Sequence, residues 1–221
     1  MSYLDPRFLI GTFGYLGLFF IVFAESGLFF GFFLPGDSLL LTAGLFAYKG
    51  EFGMNLWVLL PLLFVAAVLG DNVGYWFGRK AGPLLFSREE SLFFRRKNLL
   101  AAKAFYDKHG GKTIVLARFM PFIRTFAPIV AGAVEMEYRR FWLFNLIGGF
   151  VWAVGVTLAG YGLGSLFPPE VLDKYFLLIV VIVIFLSVLP TAIHIWKDSR
   201  HEIFAWVKAR LGLSKAQEPE A

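Results

Sequence analysis

The chain has 221 residues, 58% of them hydrophobic and 19% aromatic, with 27 Phe and only 17% charged. That surplus of Phe, in long uncharged runs, excludes an ordinary soluble domain and indicates an integral membrane protein. The absence of Cys excludes disulfides, thiolate metal sites and Cys nucleophiles, and the three His (His109, His194, His201) are scattered near charged flanks, not grouped as a metal or phosphatase centre would need.

In chain order, the first apolar run covers residues 8–24 and ends in Phe23-Ala24-Glu25. It lacks a small-x-small cleavage site and reads as a retained, slightly short span, not a removed signal peptide. Two shorter pieces follow, residues 27–34 and 38–48, separated by Pro35-Gly36. As helices of 8 and 11 residues they would reach at most ~12 and ~17 Å, against the ~30 Å of a bilayer core. Their pattern predicts a re-entrant helical hairpin over about 25–48. Residues 56–78 form a full span containing Asp71, and Gly74, Gly78 and Gly82 are spaced for close helix packing.

From Arg79 to Lys112 there are nine Lys or Arg against three acids. Ser87-Arg88-Glu89-Glu90 reads as a capping box opening a helix over about 88–109 that stops at Gly110-Gly111. Its Leu92, Phe93, Leu99, Leu100 and Phe105 alternate with Arg95, Arg96, Lys97 and Lys103, which predicts an amphipathic helix on the membrane surface. Residues 113–134 are long enough to span, but Pro121 and Pro128 interrupt them and Arg118 and Arg124 load them, predicting a second hairpin. Residues 141–164 and 175–196 are further spans, and 201–221 are a polar tail. Residues 1–200 thus read as a single all-α membrane domain, with about four transmembrane helices and two oppositely oriented re-entrant hairpins.

The distribution of the +5 net charge fits this scheme. Basic residues concentrate in 79–112 and, with five more Lys or Arg, beyond residue 196, so the positive-inside rule places both on the cytoplasmic side. With the N-terminus inside, one hairpin then enters from each face, the arrangement of an inverted repeat. Ala43-Gly44 in the first hairpin and Ala131-Gly132 in the second echo each other. The charge placement explains the basicity without nucleic acid.

Four ionisable residues stand inside apolar stretches: Glu25, Asp37, Arg118 and Arg124. Each costs roughly 2.5–3.5 kcal/mol at a bilayer centre even on lenient scales, which marks a functional site. Guanidinium forks suit bidentate binding of phosphate and keep their charge on burial. Two Arg and two carboxylates sum to zero in the empty state. A phosphate monoester brings about −1.5 to −2 charges, and neutrality returns if the acids take up protons as phosphate occupies the arginines. Arg118 and Arg124 are the expected phosphate ligands, and Glu25 and Asp37 the proton-coupling acids. Asp71 and Arg79 are expected to support the site or to pair with each other, and Pro35, Gly36, Pro121 and Pro128 to form the hairpins. Asn72 and Asn145 are adequately explained by interhelical hydrogen bonds. No His or Ser/His pairing lies near the arginines, so enzyme chemistry is not expected. Nothing implies a cofactor or a metal.

Phe23-Ala24-Glu25, Phe33-Leu34-Pro35-Gly36-Asp37-Ser38, Gly70-Asp71 with Gly78-Arg79, and the run Ala117-Arg118-Phe119-Met120-Pro121-Phe122-Ile123-Arg124-Thr125-Phe126-Ala127-Pro128 closely resemble the DedA family of bacterial inner-membrane proteins, which carry the VTT domain. Asn145, Gly148 and Trp152 fit the same pattern, and the likeness covers about residues 19–164. The resemblance implies a lipid translocase of the inner membrane, one that returns undecaprenyl phosphate to the cytoplasmic leaflet. It implies Glu25 and Asp37 as essential acids and Arg118 and Arg124 as essential bases. A broader phospholipid flippase or scramblase, and a protein supporting the proton-motive force without lipid transport, remain as alternatives. The expected partners are a membrane lipid phosphate and protons. The oligomeric state is open, although one chain carries both hairpins and a monomer could suffice.

Overall fold

A computed structural model describes residues 6–28, 36–85, 103–104, 106–108 and 110–167. Within them the chain forms helices α1 (Pro6–Gly27), α2 (Gly36–Lys49), α3 (Leu56–Leu85), α4 (Lys112–Ala117), α5 (Pro121–Ala133), α6 (Tyr138–Gly149) and α7 (Gly155–Leu166). A 3-10 turn at Glu51–Gly53 connects α2 to α3, and a π-helical turn at Phe150–Val154 joins α6 to α7. No strand occurs among the described residues. Three helical stretches are long and apolar enough to cross a membrane: Phe8–Gly27, Leu56–Gly82 and Tyr138–Leu166. Large apolar side chains point outward from them, including Trp57 at 80% and Leu16 at 71% exposure, which suits lipid and not water.

Contacts at its middle and at its C-terminal end fix the position of α1. The Tyr15 hydroxyl donates to the Gly53 carbonyl (3.1 Å) and accepts from the Asn55 amide (2.6 Å), so this part of α1 begins beside the α2–α3 connection. Its last turn meets Gly70, halfway along α3, where a Cβ at Gly27 would fall on the Gly70 carbonyl. The helix is bent at Gly14, whose φ of +57° glycine adopts without penalty. α2 starts beside Glu25 at that middle level and returns to the connection. The α1–α2 pair therefore occupies one half of the length of α3.

The α4–α5 pair occupies the other half. α4 runs beside α6, with Gly111 against Phe144 and Gly148 against Val115, and it ends at Arg118. Pro121 opens α5, where its fixed φ suits the first helical position. α5 lies along the second half of α3, and α2 lies along α7. The two seams are built alike. A Cβ at Gly132 would strike the Tyr75 carbonyl, and one at Gly78 the Ile129 carbonyl. In the other seam Gly44 faces the Thr157 carbonyl and Gly160 the Leu41 carbonyl. In each seam these glycines lie three residues from the carbonyl that the partner's glycine approaches. In lipid, such close backbone contact is a main source of helix association.

Several expectations are corrected. The span expected at 8–24 runs on past Glu25 to Gly27, with a kink at Gly14, and most of the short piece expected at 27–34 lies outside the described residues. That continuation is possible because the Glu25 charge is matched inside the protein. Pro128 lies within α5 without ending it; a proline in a membrane helix is tolerated when neighbouring groups satisfy the backbone. The spans expected at 56–78 and 141–164 extend to Leu85 and from Tyr138 to Leu166. Pro35, the capping box at Ser87, the 175–196 span and the tail lie outside the described residues. Of the expected surface helix, residues 103–104 and 106–108 are described and are helical.

Candidate functional site

The ends of the two helix pairs meet at the middle of the bundle, and the buried charges are there. Arg124, one turn into α5, holds two carboxylates. Its Nη2 donates to Glu25 Oε1 in the last turns of α1, and its Nη1 donates to Asp37 Oδ1 (2.7 Å). Asp37 lies in the first turn of α2, where the helix dipole favours an anion. The Thr125 hydroxyl reaches the Glu25 carbonyl (3.4 Å), tying α5 to the end of α1. Gly36 is required by the same contact, since a Cβ there would overlap the Glu25 carboxylate.

Arg118 forms a second cluster. It caps α4 and donates through Nη2 to Asp71 Oδ2 on α3 and to Asn145 Oδ1 on α6 (2.6 Å). Asn145 is itself oriented by donation from Nδ2 to the Val68 carbonyl (3.1 Å). Gly148 and Gly149 make room for the arginine, the would-be Cβ of Gly148 standing 3.2 Å from Arg118 Cδ. Two sequence expectations change here. Asp71 pairs with Arg118 and not with Arg79, whose Nη1 donates to the Tyr75 hydroxyl (3.0 Å) and whose guanidinium lies over the Trp76 ring (5.8 Å). Arg79 therefore stands outside the site. Asn145 is more than interhelical glue, because it is a ligand of Arg118, whereas Asn72 accepts a bond from the Tyr138 hydroxyl (2.9 Å) as expected of a packing residue.

Trp152 joins the two clusters. Its indole Nε1 donates to Asp37 Oδ1 (2.7 Å), and its ring lies 4.8 Å from the Arg124 guanidinium and 5.7 Å from that of Arg118. Sequence reasoning gave neither Trp152 nor Asn145 a site role. The available signal was chemical: an indole N–H or an amide inside a hydrocarbon-length helix must find a partner. The site thus holds three carboxylates and two guanidiniums, not two of each. Four of these side chains are at most 9% exposed, whereas Asp37 is 22% exposed. Each arginine keeps a buried Nε without an acceptor, and Glu25 Oε2 is likewise unpartnered. An unclaimed guanidinium donor beside one already claimed is suited to an oxyanion.

Residues 34–162 match the model of the VTT domain. The chain is 44% identical over 206 residues to an uncharacterised membrane protein of Mycobacterium leprae (strain TN), covering 90% of each. It is 46% identical over 190 residues to Protein DedA of Escherichia coli (strain K12), covering 86% of this chain and 85% of that one. It is also 34% identical over 188 residues to inner membrane protein YqjA of Escherichia coli (strain K12), covering 83% and 84%. No solved structure matches the chain. With its apolar helices and this similarity across most of its length, the chain is a membrane protein belonging to the VTT-domain, or DedA, family.

Proposed function

We propose that this protein is a proton-coupled translocase for a lipid phosphate, returning a polyprenyl phosphate such as undecaprenyl phosphate to the cytoplasmic leaflet. The observation that carries the reading is the pair of buried arginines, each with an unpartnered Nε, where two helix pairs meet halfway along α3. In this reading the helix pairs are re-entrant hairpins opening to opposite faces of the inner membrane. The basic 79–112 segment and the C-terminus are then cytoplasmic.

The chemistry is an exchange of counter-ions. In the empty state Glu25 and Asp37 pair with Arg124, and Asp71 pairs with Arg118. A phosphate monoester competes for the same guanidiniums and displaces the acids. Unpaired carboxylates in a low-dielectric site are too costly to stay ionised, so the displaced acids take up protons. Phosphate and protons then enter and leave together, and the inward proton gradient drives the lipid inward. This reading gives the acids no role as nucleophile or general acid, so the protein moves its substrate without changing it.

Head-group charge separates this reading from a broader phospholipid flippase. A dianionic monoester uses both arginines, so Arg118→Gln and Arg124→Gln should each cut movement of undecaprenyl phosphate at least tenfold in proteoliposomes. A zwitterionic phospholipid should tolerate the loss of one arginine. Equal movement of both lipids, with equal sensitivity to the two substitutions, would overturn the monoester reading in favour of the flippase.

A further inference from the structure

We propose that Trp152 is a positioning residue that couples anion binding at the arginines to protonation of Asp37; the inference rests on the translocation reading above. Among the described residues, Trp152 alone is seen to touch Asp37 and both guanidiniums. Its side chain is 3% exposed, so these contacts form without competing water. The local backbone is built for this placement. Trp152 is in the middle of the π-helical turn Phe150–Val154, a deviation within an otherwise regular span. Such turns occur often at functional sites because they re-aim a side chain.

The two ends of the indole respond to different events. The ring face is attracted to cations, and it stabilises Arg124 and Arg118 at 4.8 and 5.7 Å when their carboxylate partners leave. The N–H donates to Asp37 Oδ1, which also accepts from Arg124 Nη1, both at 2.7 Å. When an oxyanion draws Arg124 away, Asp37 keeps only the indole donor, in place and partly exposed. The groups facing Asp37 at that moment are Glu25 on α1, Arg124 on α5, and the Arg118–Asp71 pair on the same ring. A hydrogen bond to the ionised carboxylate favours that form, and loss of the guanidinium disfavours it. The indole therefore sets the pH range over which Asp37 gives up or takes a proton as the ligand comes and goes.

The protein reports on this itself. In a chain keeping Trp152 as its single tryptophan, with Trp57, Trp76, Trp142, Trp196 and Trp206 changed to Phe, indole emission is followed against pH in lipid nanodiscs. Dodecyl phosphate is the probe anion. The expected result is a pH-dependent step that Asp37→Asn abolishes, with a midpoint that dodecyl phosphate moves upward by about one unit, a tenfold coupling. Arg118→Gln should remove that movement. In the otherwise native chain, Trp152→Phe keeps a ring for the arginines but loses the donor, so transport should persist with its pH profile displaced upward. Trp152→Leu, verified as folded, should lose both transport and profile. A midpoint indifferent to dodecyl phosphate, or a wild-type pH profile in Trp152→Phe, overturns the proposal. If the midpoint moves but no lipid crosses, the coupling stands and the translocase reading falls. If lipid crosses but the midpoint does not move, the reverse holds.

Discussion

Arg124 is the residue on which the site's balance turns, because one guanidinium serves two acids from two helices. Removing one partner of a buried ion pair costs about 3–5 kcal/mol, as it strands charge where water cannot reach. Arg124→Met should therefore lower thermal stability in detergent strongly. Combining it with Glu25→Gln and Asp37→Asn should recover most of that loss without recovering transport. A second residue-scale prediction concerns Gly36, whose missing Cβ leaves room for the Glu25 carboxylate. Gly36→Ala should cost about 1–3 kcal/mol, the range for overpacking, and should depress transport. Gly155→Ala is the control, since a Cβ there meets nothing within 4 Å. Both are read by unfolding temperature beside a transport assay. The four charges were legible in the sequence because each is a costly exception to an apolar run. Their pairing was not: Arg124 and Glu25 are 99 residues apart, and Arg118 could be assigned to Asp71 only once α3, α4 and α6 were in place. Trp152 was missed because a tryptophan in an apolar helix needs no special explanation until its N–H acceptor is known.

At the scale of the elements, the α2–α7 and α3–α5 seams repeat one design, glycine against carbonyl in both directions. The Ala43-Gly44 and Ala131-Gly132 echo was the trace of it in the sequence, and the buried Ala43 and Ala131 complete the match. Because the contacts are equivalent, Gly44→Val and Gly132→Val should destabilise the protein by similar amounts, about 1–3 kcal/mol each. Unfolding temperatures in one detergent test this, and a large effect at only one position would contradict the equivalence. The limits of α4 and α5 were close to legible, since residues 113–134 were bounded by charge and glycine. The end of α1 was misjudged because Glu25 resembles the end of an apolar run. A charge neutralised within the protein does not end a helix, and apolar run length cannot register that.

Across the whole molecule, the two helix pairs bring their loaded ends to one level, so charges from four helices and the end of α4 share a single buried region. Three acids against two bases leave that region with one net negative charge when every group is ionised. In the proposed exchange such a site takes an anion only together with protons, which makes the central claim one about coupling. The direct test is movement of undecaprenyl phosphate by the purified chain in proteoliposomes, with and without an inward proton gradient. Wild type is compared with Arg118→Gln and Glu25→Gln of verified folding. The account predicts movement accelerated by the gradient and lost in both variants. Movement indifferent to the gradient, with Glu25→Gln as active as wild type, would contradict it.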